Sequence, residues 1–314
     1  MDSDKLRAIA ERSGTTVATT RRVLNHCSGI ASETRDAVIR AQCALNHPIE
    51  VGERRLHFIL PDNPKFFWHK ALHVLNGYYF DPPVKLSFYP SLPQSTQLAT
   101  YLEPLKDVNE NVLILAADLD PAQQEAVAHI AKRSLVIQLC HHTPLPNTVY
   151  VGSDAYTDGY TLGKLAAKHG YKRAVTLRRR GSHTLDERCR GFTDAFGPSV
   201  STIDEPEENS LYPSLVARAI APLSDVDLVF SAGGRTAETC RALYKLRSGI
   251  RCVGFELSPQ LQKMPENEAV FALLNQDIAT QTRRALEHAI AYLRDGTRPT
   301  TEYCTIPSKL IETV

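Results

Sequence analysis

Residues 6–25 read LRAIAERSGTTVATTRRVLN, and this stretch decides how the whole chain is interpreted. Apolar residues recur at helical spacing up to Ala10, and Gly14 ends that helix one turn later. The hydroxyls of Thr15 and Thr16 can then cap a second helix, which has apolar positions of its own. Two short helices joined by a turn that contains glycine predict a helix-turn-helix, whose second helix can enter the major groove of DNA.

A third amphipathic run follows at residues 32–45 and would complete a three-helix core. Pro48 lies just after this helix, and the short segment 49–55 that follows has four charged residues before an aliphatic run begins at residue 56. We therefore expect an all-helical headpiece over residues 1–47 and a short linker over residues 48–55.

The bulk composition is that of an ordinary globular protein. The 314 residues are 43% hydrophobic and 23% charged, with a net charge of +1, so DNA binding has to depend on a local cluster such as Arg12, Arg21 and Arg22. The N-terminus is polar and no apolar run is long enough to span a membrane, which predicts a cytoplasmic protein without a signal peptide. Seven cysteines without CxxC spacing argue against a zinc site and a disulfide framework.

From residue 56 onward, short aliphatic runs alternate with longer amphipathic stretches. The predicted strands are 56–60, 84–88, 112–116, 135–139, 174–177, 226–231, 252–255 and 270–274. This rhythm predicts parallel sheets with helices on both faces. The length favours two doubly wound subdomains, at about 56–150 and 151–275, with a C-terminal segment that crosses back, all within one ligand-binding domain over residues 56–314.

Open parallel sheets bind ligands at the carboxyl ends of their strands. The residues at these predicted ends are Asp62, Asn63, Phe66, Phe67, Trp68, Asp118, Asp154, Asp158, 178–182, Gly233, Gly234, Glu256 and 275–277. Carboxylates, amides, an arginine and aromatic rings suit a polyhydroxylated ligand. Asp154 is interpreted as a helix cap, Asp158 as either structural or a ligand contact, and residues 178–180 as a solvated loop.

The sequence offers no arrangement for catalysis. No GxGxxG follows the first predicted strand, and neither GxxxxGK[ST] nor Gly-x-Ser-x-Gly occurs. His141 and His142 lack a third metal ligand at useful spacing, so we expect no metal site, no cofactor and no catalytic residues. Two alternatives stay open: a sugar- or nucleotide-dependent α/β enzyme with a fused helical module, and a plain sugar-binding protein.

Several motifs resemble one family of regulators. KLRAIAERSGTTVATTRRVLN at residues 5–25 resembles the DNA-binding headpiece of lactose/galactose-repressor-type regulators. VGSDAYTDGYTLGKLA (151–166), ERCRGFTDAF (187–196), VGFE (253–256) and NQD (275–277) resemble motifs of that family's effector domain, which is similar to periplasmic ribose-type binding proteins. The resemblance covers nearly the whole chain and implies a type I periplasmic-binding-protein-like fold behind the headpiece.

The resemblance also implies which residues contact DNA. These are Thr16, Val17, Ala18, Arg21, Arg22 and Asn25. Arg22 would read a guanine through its bidentate fork, and the small side chains of Val17 and Ala18 would face base edges such as thymine methyl groups. The others would cap the second helix or contact phosphates.

The implied effector contacts are Phe66, Phe67, Asp118, Asp158, Arg188, Glu256 and Gln276. The polar members would hold sugar hydroxyls, and one of the two phenylalanines would stack on the ring. Three features depart from the family: the linker is too short for the usual hinge helix, the base-reading residues are small, and Gly233, Gly234 and Glu256 replace other residues in the pocket. The resemblance therefore implies a repressor-like homodimer on double-stranded operator DNA with a sugar-like effector, but not which effector.

Overall fold

The computed structural model describes residues 3–24, 30–31, 34, 37–38, 41, 55–61, 66–79, 85–91, 95–205, 211–223, 225–246, 249–263 and 269–312. Asn25 lies outside this description, as does the linker predicted at residues 48–55 except for Arg55. Of the third predicted helix, residues 34, 37, 38 and 41 are described, and all four are helical.

Strands and helices alternate along most of the described chain. The strands are β1 (Arg55–Pro61), β2 (Lys85–Ser91), β3 (Val112–Leu115), β4 (Leu135–Leu139), β5 (Thr148–Gly152), β6 (Ala174–Arg178), β7 (Val200–Asp204), β8 (Leu228–Ser231), β9 (Arg251–Phe255), β10 (Val270–Asn275), β11 (Tyr303–Thr305) and β12 (Lys309–Glu312). The helices are α1 (Ser3–Arg12), α2 (Val17–Leu24), α3 (Phe66–Gly77), α4 (Ser95–Leu102), α5 (Pro121–Ile130), α6 (Ala155–Lys168), α7 (His183–Phe196), α8 (Tyr212–Ile220), α9 (Thr236–Leu246), α10 (Pro259–Lys263) and α11 (Ile278–Asp295), with a 3-10 helix at Glu103–Asp107.

The strands form two separate sheets. The first has the order β2-β1-β3-β4-β5-β11, and all of its pairs are parallel. The second has the order β7-β6-β8-β9-β10-β12, in which only β12 is antiparallel to its neighbour. The chain leaves the first sheet after Gly152, builds most of the second, and returns through β11. The predicted pair of parallel-sheet α/β units is therefore confirmed.

The central strands of both sheets are buried on both faces, because helices cover each side. In β1, Phe58 packs in one apolar cluster and its neighbour Ile59 packs in another. In β8, Val229 and Phe230 separate in the same way. Near-continuous aliphatic runs are what parallel strands between two helix layers require, since successive side chains point to opposite faces.

The N-terminal helices are joined by a tight turn. Gly14 adopts a left-handed backbone with φ +64°, which ends α1 at little steric cost. The hydroxyl of Thr16 accepts a hydrogen bond from the backbone N–H of Thr19 at 3.1 Å, the geometry of a helix N-cap. Ile9 and Val23 belong to the same buried cluster as residues of α4 and α5, so these helices share apolar packing with the first sheet's helix layer.

The predicted strands all occur, with the largest shift at the end of β2, at Ser91 instead of residue 88. The sequence missed β5, β7, β11 and β12, and it placed residues 66–68 at the end of the first strand without predicting that they begin a helix, α3. β7 and β11 carry mostly exposed or half-buried residues, so neither shows the aliphatic run that marks a buried strand. Among the described residues, no helix is long and apolar enough to cross a membrane.

Candidate functional site

Helices α6 and α7 approach one another to backbone contact. A Cβ at Gly159 would lie 1.9 Å from the carbonyl oxygen of Arg188, and one at Gly191 would lie 2.1 Å from that of Tyr156. Only glycine leaves room for this approach. The contact fixes Asp158 on α6 and Arg188 on α7, both of which are buried.

Arg188 is a buried cation at the centre of the second unit. Its side chain donates from Nη1 to the carbonyl oxygen of Ala232 at 2.9 Å, and its guanidinium carbon lies 3.7 Å from the ring centroid of Phe255. The residue is 5% exposed, and its Nε atom has no hydrogen-bond partner among the described residues. A buried donor without a partner is costly and rare, and this atom can donate to an acceptor of a bound molecule.

Glu256 and Gln276 lie at the ends of neighbouring strands β9 and β10. Glu256 Oε1 accepts hydrogen bonds from the Gln276 backbone N at 3.2 Å and from its Nε2 at 3.0 Å. Burial raises the pKa of Glu256 to about 7, although these bonds and the charge of Arg188 oppose the shift. The Thr236 hydroxyl pins the end of β9 by bonding to both the N–H and the carbonyl oxygen of Phe255.

Asp158 faces the same buried network. Its Oδ2 accepts a hydrogen bond from the Ser308 hydroxyl at 3.0 Å. Burial raises the pKa of Asp158, which outweighs the opposing effects of Arg188 and of hydrogen bonds from Ser153 and Ser308. The carboxyl group therefore sits where it can interact with Arg188 or with a bound hydroxyl.

Cys140 belongs to this network, although the sequence analysis did not identify it as a site residue. It follows β4 in the first unit, and its Sγ donates to Gln281 Oε1 at 2.8 Å. Burial raises the pKa of the Cys140 thiol, and Arg188 and Glu256 lie close enough to affect it. Gln281 is fully buried, and its Nε2 has no partner among the described residues.

Two non-glycine residues with left-handed backbones mark the two sides of this network. Cys140 has φ 63° and Glu256 has φ 66°, each directly after a strand of a different sheet. Such conformations are unfavourable for residues with a Cβ and concentrate at functional sites. We call the buried group formed by Cys140, Arg188, Glu256 and Gln276, where the strand ends of the two units meet, the cleft.

Asp118 forms a second polar group that joins the two units. Its Oδ1 accepts a hydrogen bond from the Ser182 hydroxyl at 2.6 Å and lies 3.1 Å from His141 Nδ1, while its Oδ2 pairs with Arg179. Burial alone would raise the pKa of Asp118, but His141, Arg179 and Ser182 together hold it well below its usual range. Asp118 therefore already bonds to three groups of the protein.

The arginine run at residues 178–180 was predicted to be a solvated loop. Arg179 and Arg180 are exposed and follow β6, as predicted, whereas Arg178 is the last residue of that strand. Arg179 also pairs with Asp118 from the other unit, and Arg178 and Arg180 pair with Asp204. The strand end places these side chains beside carboxylates that lie far away in sequence, which a local pattern does not show.

An aromatic group adjoins Asp118. The Phe67 ring lies edge-on to Trp68 at 4.9 Å, and Trp68 stacks on His141 with ring centroids 6.0 Å apart. Phe67 is half-buried against the core of the first unit. Phe66 begins the same helix, but its side chain lies outside the described part of the chain, as do Asp62 and Asn63.

The structure thus brings together Asp158, Arg188, Glu256 and Gln276, and holds Asp118 and Phe67 in the neighbouring group. A further hydrogen bond, from the His142 backbone N to the Thr184 hydroxyl at 2.8 Å, also joins the two units. The carboxyl ends of both sheets therefore face one another. Asp154 caps α6 through Thr157 N at 2.8 Å, as predicted, and the described residues contain no cluster of three or more His, Cys, Asp or Glu that could hold a metal.

A different polar surface lies on α2. Val17, Ala18, Arg21 and Arg22 are all exposed, whereas Thr20 and Val23 are buried. Positions separated by four residues share one face of a helix, so these four side chains form a single solvent-facing stripe. We call it the α2 face.

No model of a known protein family matches the chain, and no curated protein sequence matches it either. Solved structures do. The glucose-galactose binding protein GanP of Geobacillus stearothermophilus has a TM-score of 0.71 at 16% identity, over 83% of this chain and 97% of that one. A LacI-family transcriptional regulator from Silicibacter pomeroyi has a TM-score of 0.62 at 18% identity, over 98% of this chain and 97% of that one.

A complex of the transcriptional regulator CelR with cellobiose has a TM-score of 0.63 at 17% identity, over 98% of each chain. Identities this low establish a shared fold. The chain thus has the two-unit fold that periplasmic sugar-binding proteins and LacI-family regulators share.

Proposed function

We propose that this chain is a sugar-responsive transcriptional regulator, a repressor that acts in the cytoplasm as a homodimer on double-stranded operator DNA. Residues 1–47 are the DNA-binding headpiece, residues 48–55 the linker, and residues 56–314 the effector-binding domain. The observation that carries the proposal is the buried network of Arg188, Glu256 and Gln276 beside the ends of β9 and β10, in which Arg188 Nε lacks a partner among the described residues.

The cleft suits a polyhydroxylated effector because it combines both kinds of hydrogen-bonding group. The Arg188 guanidinium can donate to a sugar oxygen, and the Asp158 and Glu256 carboxyl groups can accept from hydroxyls. The rings of Trp68 and Phe67 lie beside Asp118, in the polar group next to the cleft, where they can pack against a sugar ring. GanP is a glucose-galactose binding protein and CelR was solved with cellobiose, which supports a sugar.

The α2 face supports the DNA-binding part of the proposal. Arg21 and Arg22 are exposed one turn from Val17 and Ala18, the arrangement with which a recognition helix reads base edges and phosphates. The two regulators align over 98% of this chain and GanP over 83%, so the regulators match a segment that GanP does not. No arrangement in the cleft pairs a nucleophile with a base, so we propose no enzymatic activity.

Apolar packing can couple the two sites. Ile9 and Val23 share a buried cluster with Leu98 and Leu102 of the first unit. Effector binding changes how the first unit meets the second, and this packing carries the change to the headpieces of a dimer. Because the linker is short, we expect little bending of the DNA.

Calorimetry with glucose, galactose and cellobiose, hereafter the sugar panel, tests the effector site. We expect at least one of them to bind the full chain, and Arg188→Ala to remove that binding. Arg190→Ala is the matched control, because Arg190 lies on the same helix but is exposed and paired with Glu187. Unchanged affinity in Arg188→Ala would place the sugar elsewhere.

Selection from a random duplex library tests the DNA site. The full chain should enrich a pseudo-palindromic sequence with half-sites about one helical turn apart. A plain sugar-binding protein is the second candidate, and it is favoured by the higher TM-score of GanP. It predicts sugar binding with no enriched sequence at all.

A further inference from the structure

Two adjoining cavities lie outside the cleft, and aromatic rings form their common wall. Their volumes are about 260 Å³ and 230 Å³, and both are lined by His142, Tyr150 and Tyr303. The second is also lined by Tyr156 and His183. Asp118, Arg188, Glu256 and Gln276 line neither cavity, so this is a separate place in the molecule.

The rings form a cluster around His142. Its ring centroid lies 5.0 Å from that of Tyr150, 5.2 Å from Tyr303 and 5.3 Å from His183. The hydroxyl of Tyr150 is fixed by a 2.7 Å hydrogen bond to the carbonyl oxygen of Ser153. Tyr303 is 53% exposed, so its ring is accessible from solvent.

The charged residues in the walls are all acidic. Asp154 and Glu187 line one cavity and Glu302 lines the other, with no lysine or arginine in either wall. Glu187 is neutralised by Arg190, whose guanidinium also lies 4.4 Å from the Tyr156 ring. Asp154 and Glu302 make no ion pair within the described residues, so two negative charges remain.

His142 adds no positive charge at neutral pH. Burial and the neighbouring His183 lower the pKa of His142 to about 4, so its ring is neutral. A neutral imidazole offers an aromatic face, as the tyrosines do. The two half-open cavities, here together called the enclosure, therefore combine aromatic faces with a net negative charge.

We propose that this enclosure, bounded by His142, Tyr150 and Tyr303, is a second ligand site that binds a small organic cation with a quaternary ammonium group. Such cations are held by the negative faces of aromatic rings, an interaction that grows when the cation is desolvated. A quaternary ammonium offers no N–H donors, which matches the common wall of rings formed by His142, Tyr150 and Tyr303.

The position of the site connects it to movement of the two units. His142, Tyr150 and Tyr303 belong to the first sheet and its loops, whereas Tyr156, His183 and Glu187 belong to helices of the second unit. A cation held between these walls favours the arrangement in which they are close together. Its binding is therefore linked to the arrangement of the cleft.

The test is calorimetry on the full chain with choline and with its uncharged isostere 3,3-dimethylbutan-1-ol, at constant ionic strength. We expect choline to bind about tenfold more tightly than the isostere. Tyr303→Ala should weaken choline binding about tenfold, whereas Tyr303→Phe, which keeps the ring, should not. Tyr244→Ala, which removes a similarly exposed tyrosine from α9, is the matched control.

Two further variants separate this site from the cleft. Asp154→Asn keeps a helix cap but removes the negative charge. It should therefore weaken the binding of choline and leave the affinity for the uncharged isostere unchanged. Arg188→Ala should weaken choline binding far less than it weakens sugar binding. The proposal is overturned if choline and the isostere bind alike, if neither binds at millimolar concentration, or if Tyr303→Ala retains choline while Arg188→Ala loses it.

Discussion

The α2 face and the cleft use arginine in opposite ways. Arg21 and Arg22 are exposed on a short helix, while Arg188 is 5% exposed and bonded to the backbone of another element. An exposed arginine can be exchanged with little effect on folding, because water solvates it on both sides of the folding equilibrium. A buried one is part of the fold, and its removal changes stability and binding together.

The two functions can therefore be altered at different residues. On the α2 face, recognition depends on a few side chains held by local helix geometry. In the cleft, recognition depends on residues from both units, some with strained backbones such as Cys140 and Glu256. Variants should therefore divide into those that change binding alone and those that change binding and stability.

Arg188→Ala is the variant with the largest expected effect. Removing the guanidinium leaves the Ala232 carbonyl oxygen without its donor and the buried carboxyl groups without a cation, so effector binding should weaken by about 2–5 kcal/mol. Calorimetry with the tightest member of the sugar panel measures this. A loss confined to DNA affinity would reverse the assignment of the two regions.

Glu256→Gln should alter the pH dependence of stability. The folded pKa of about 7 lies above the ordinary value of 4.5, so the folded protein holds this proton more tightly than the unfolded chain. The protonated Glu256 therefore contributes about 3 kcal/mol to the free energy of unfolding. This contribution is fully present below pH 4.5 and is lost as the pH rises through 7. Glutamine resembles the protonated acid and removes this dependence.

Urea unfolding of wild type and Glu256→Gln across pH 4.5–8 checks the sign. The free energy of unfolding of the wild type should fall relative to the variant as the pH rises. Two parallel curves would show that Glu256 is ionised in the same way in the folded and unfolded states.

Gly159→Ala tests the close approach of α6 and α7. The new Cβ would lie 1.9 Å from the Arg188 carbonyl oxygen, so the helices must separate at a cost of about 1–3 kcal/mol. Thermal and urea unfolding measure the loss. Gly77→Ala is the control, because a Cβ there meets nothing within 4 Å, and it should be neutral or slightly stabilising.

Arg22→Ala should have the smallest effect on stability, within about 0.5 kcal/mol. It should nevertheless weaken binding to the selected duplex by about 1–3 kcal/mol and relax the preference at one base position. Fluorescence anisotropy on selected and random duplexes measures both. Equal weakening on the two duplexes would make Arg22 a phosphate contact instead of a base contact.

The sequence predicted those features that depend on neighbouring residues. Three features depend on short-range patterns, and the structure contains each of them: the turn at Gly14 that ends α1, the helix cap at Thr16 and the aliphatic strand β4. The two-unit fold followed from the alternation of such patterns. α3 was missed because Phe66, Phe67 and Trp68 give it an aromatic start where a polar cap is more usual.

The cleft could be predicted only in part, because its geometry depends on contacts between distant residues. Arg188 and Glu256 were identified by motif resemblance, and the structure places both in one network. Cys140 was missed, since a left-handed backbone at a cysteine leaves no sequence signal. The pairing of Arg179 with Asp118 joins residues 61 positions apart, which only the fold brings together.

The most direct test of the account is the affinity of the full chain for its selected duplex, measured by fluorescence anisotropy without sugar and with a saturating sugar from the panel. Coupling between the cleft and the α2 face predicts at least about a fivefold change in Kd. In Arg188→Ala the same sugar should leave the Kd for DNA unchanged. An identical Kd for the wild type with and without bound sugar would contradict the account.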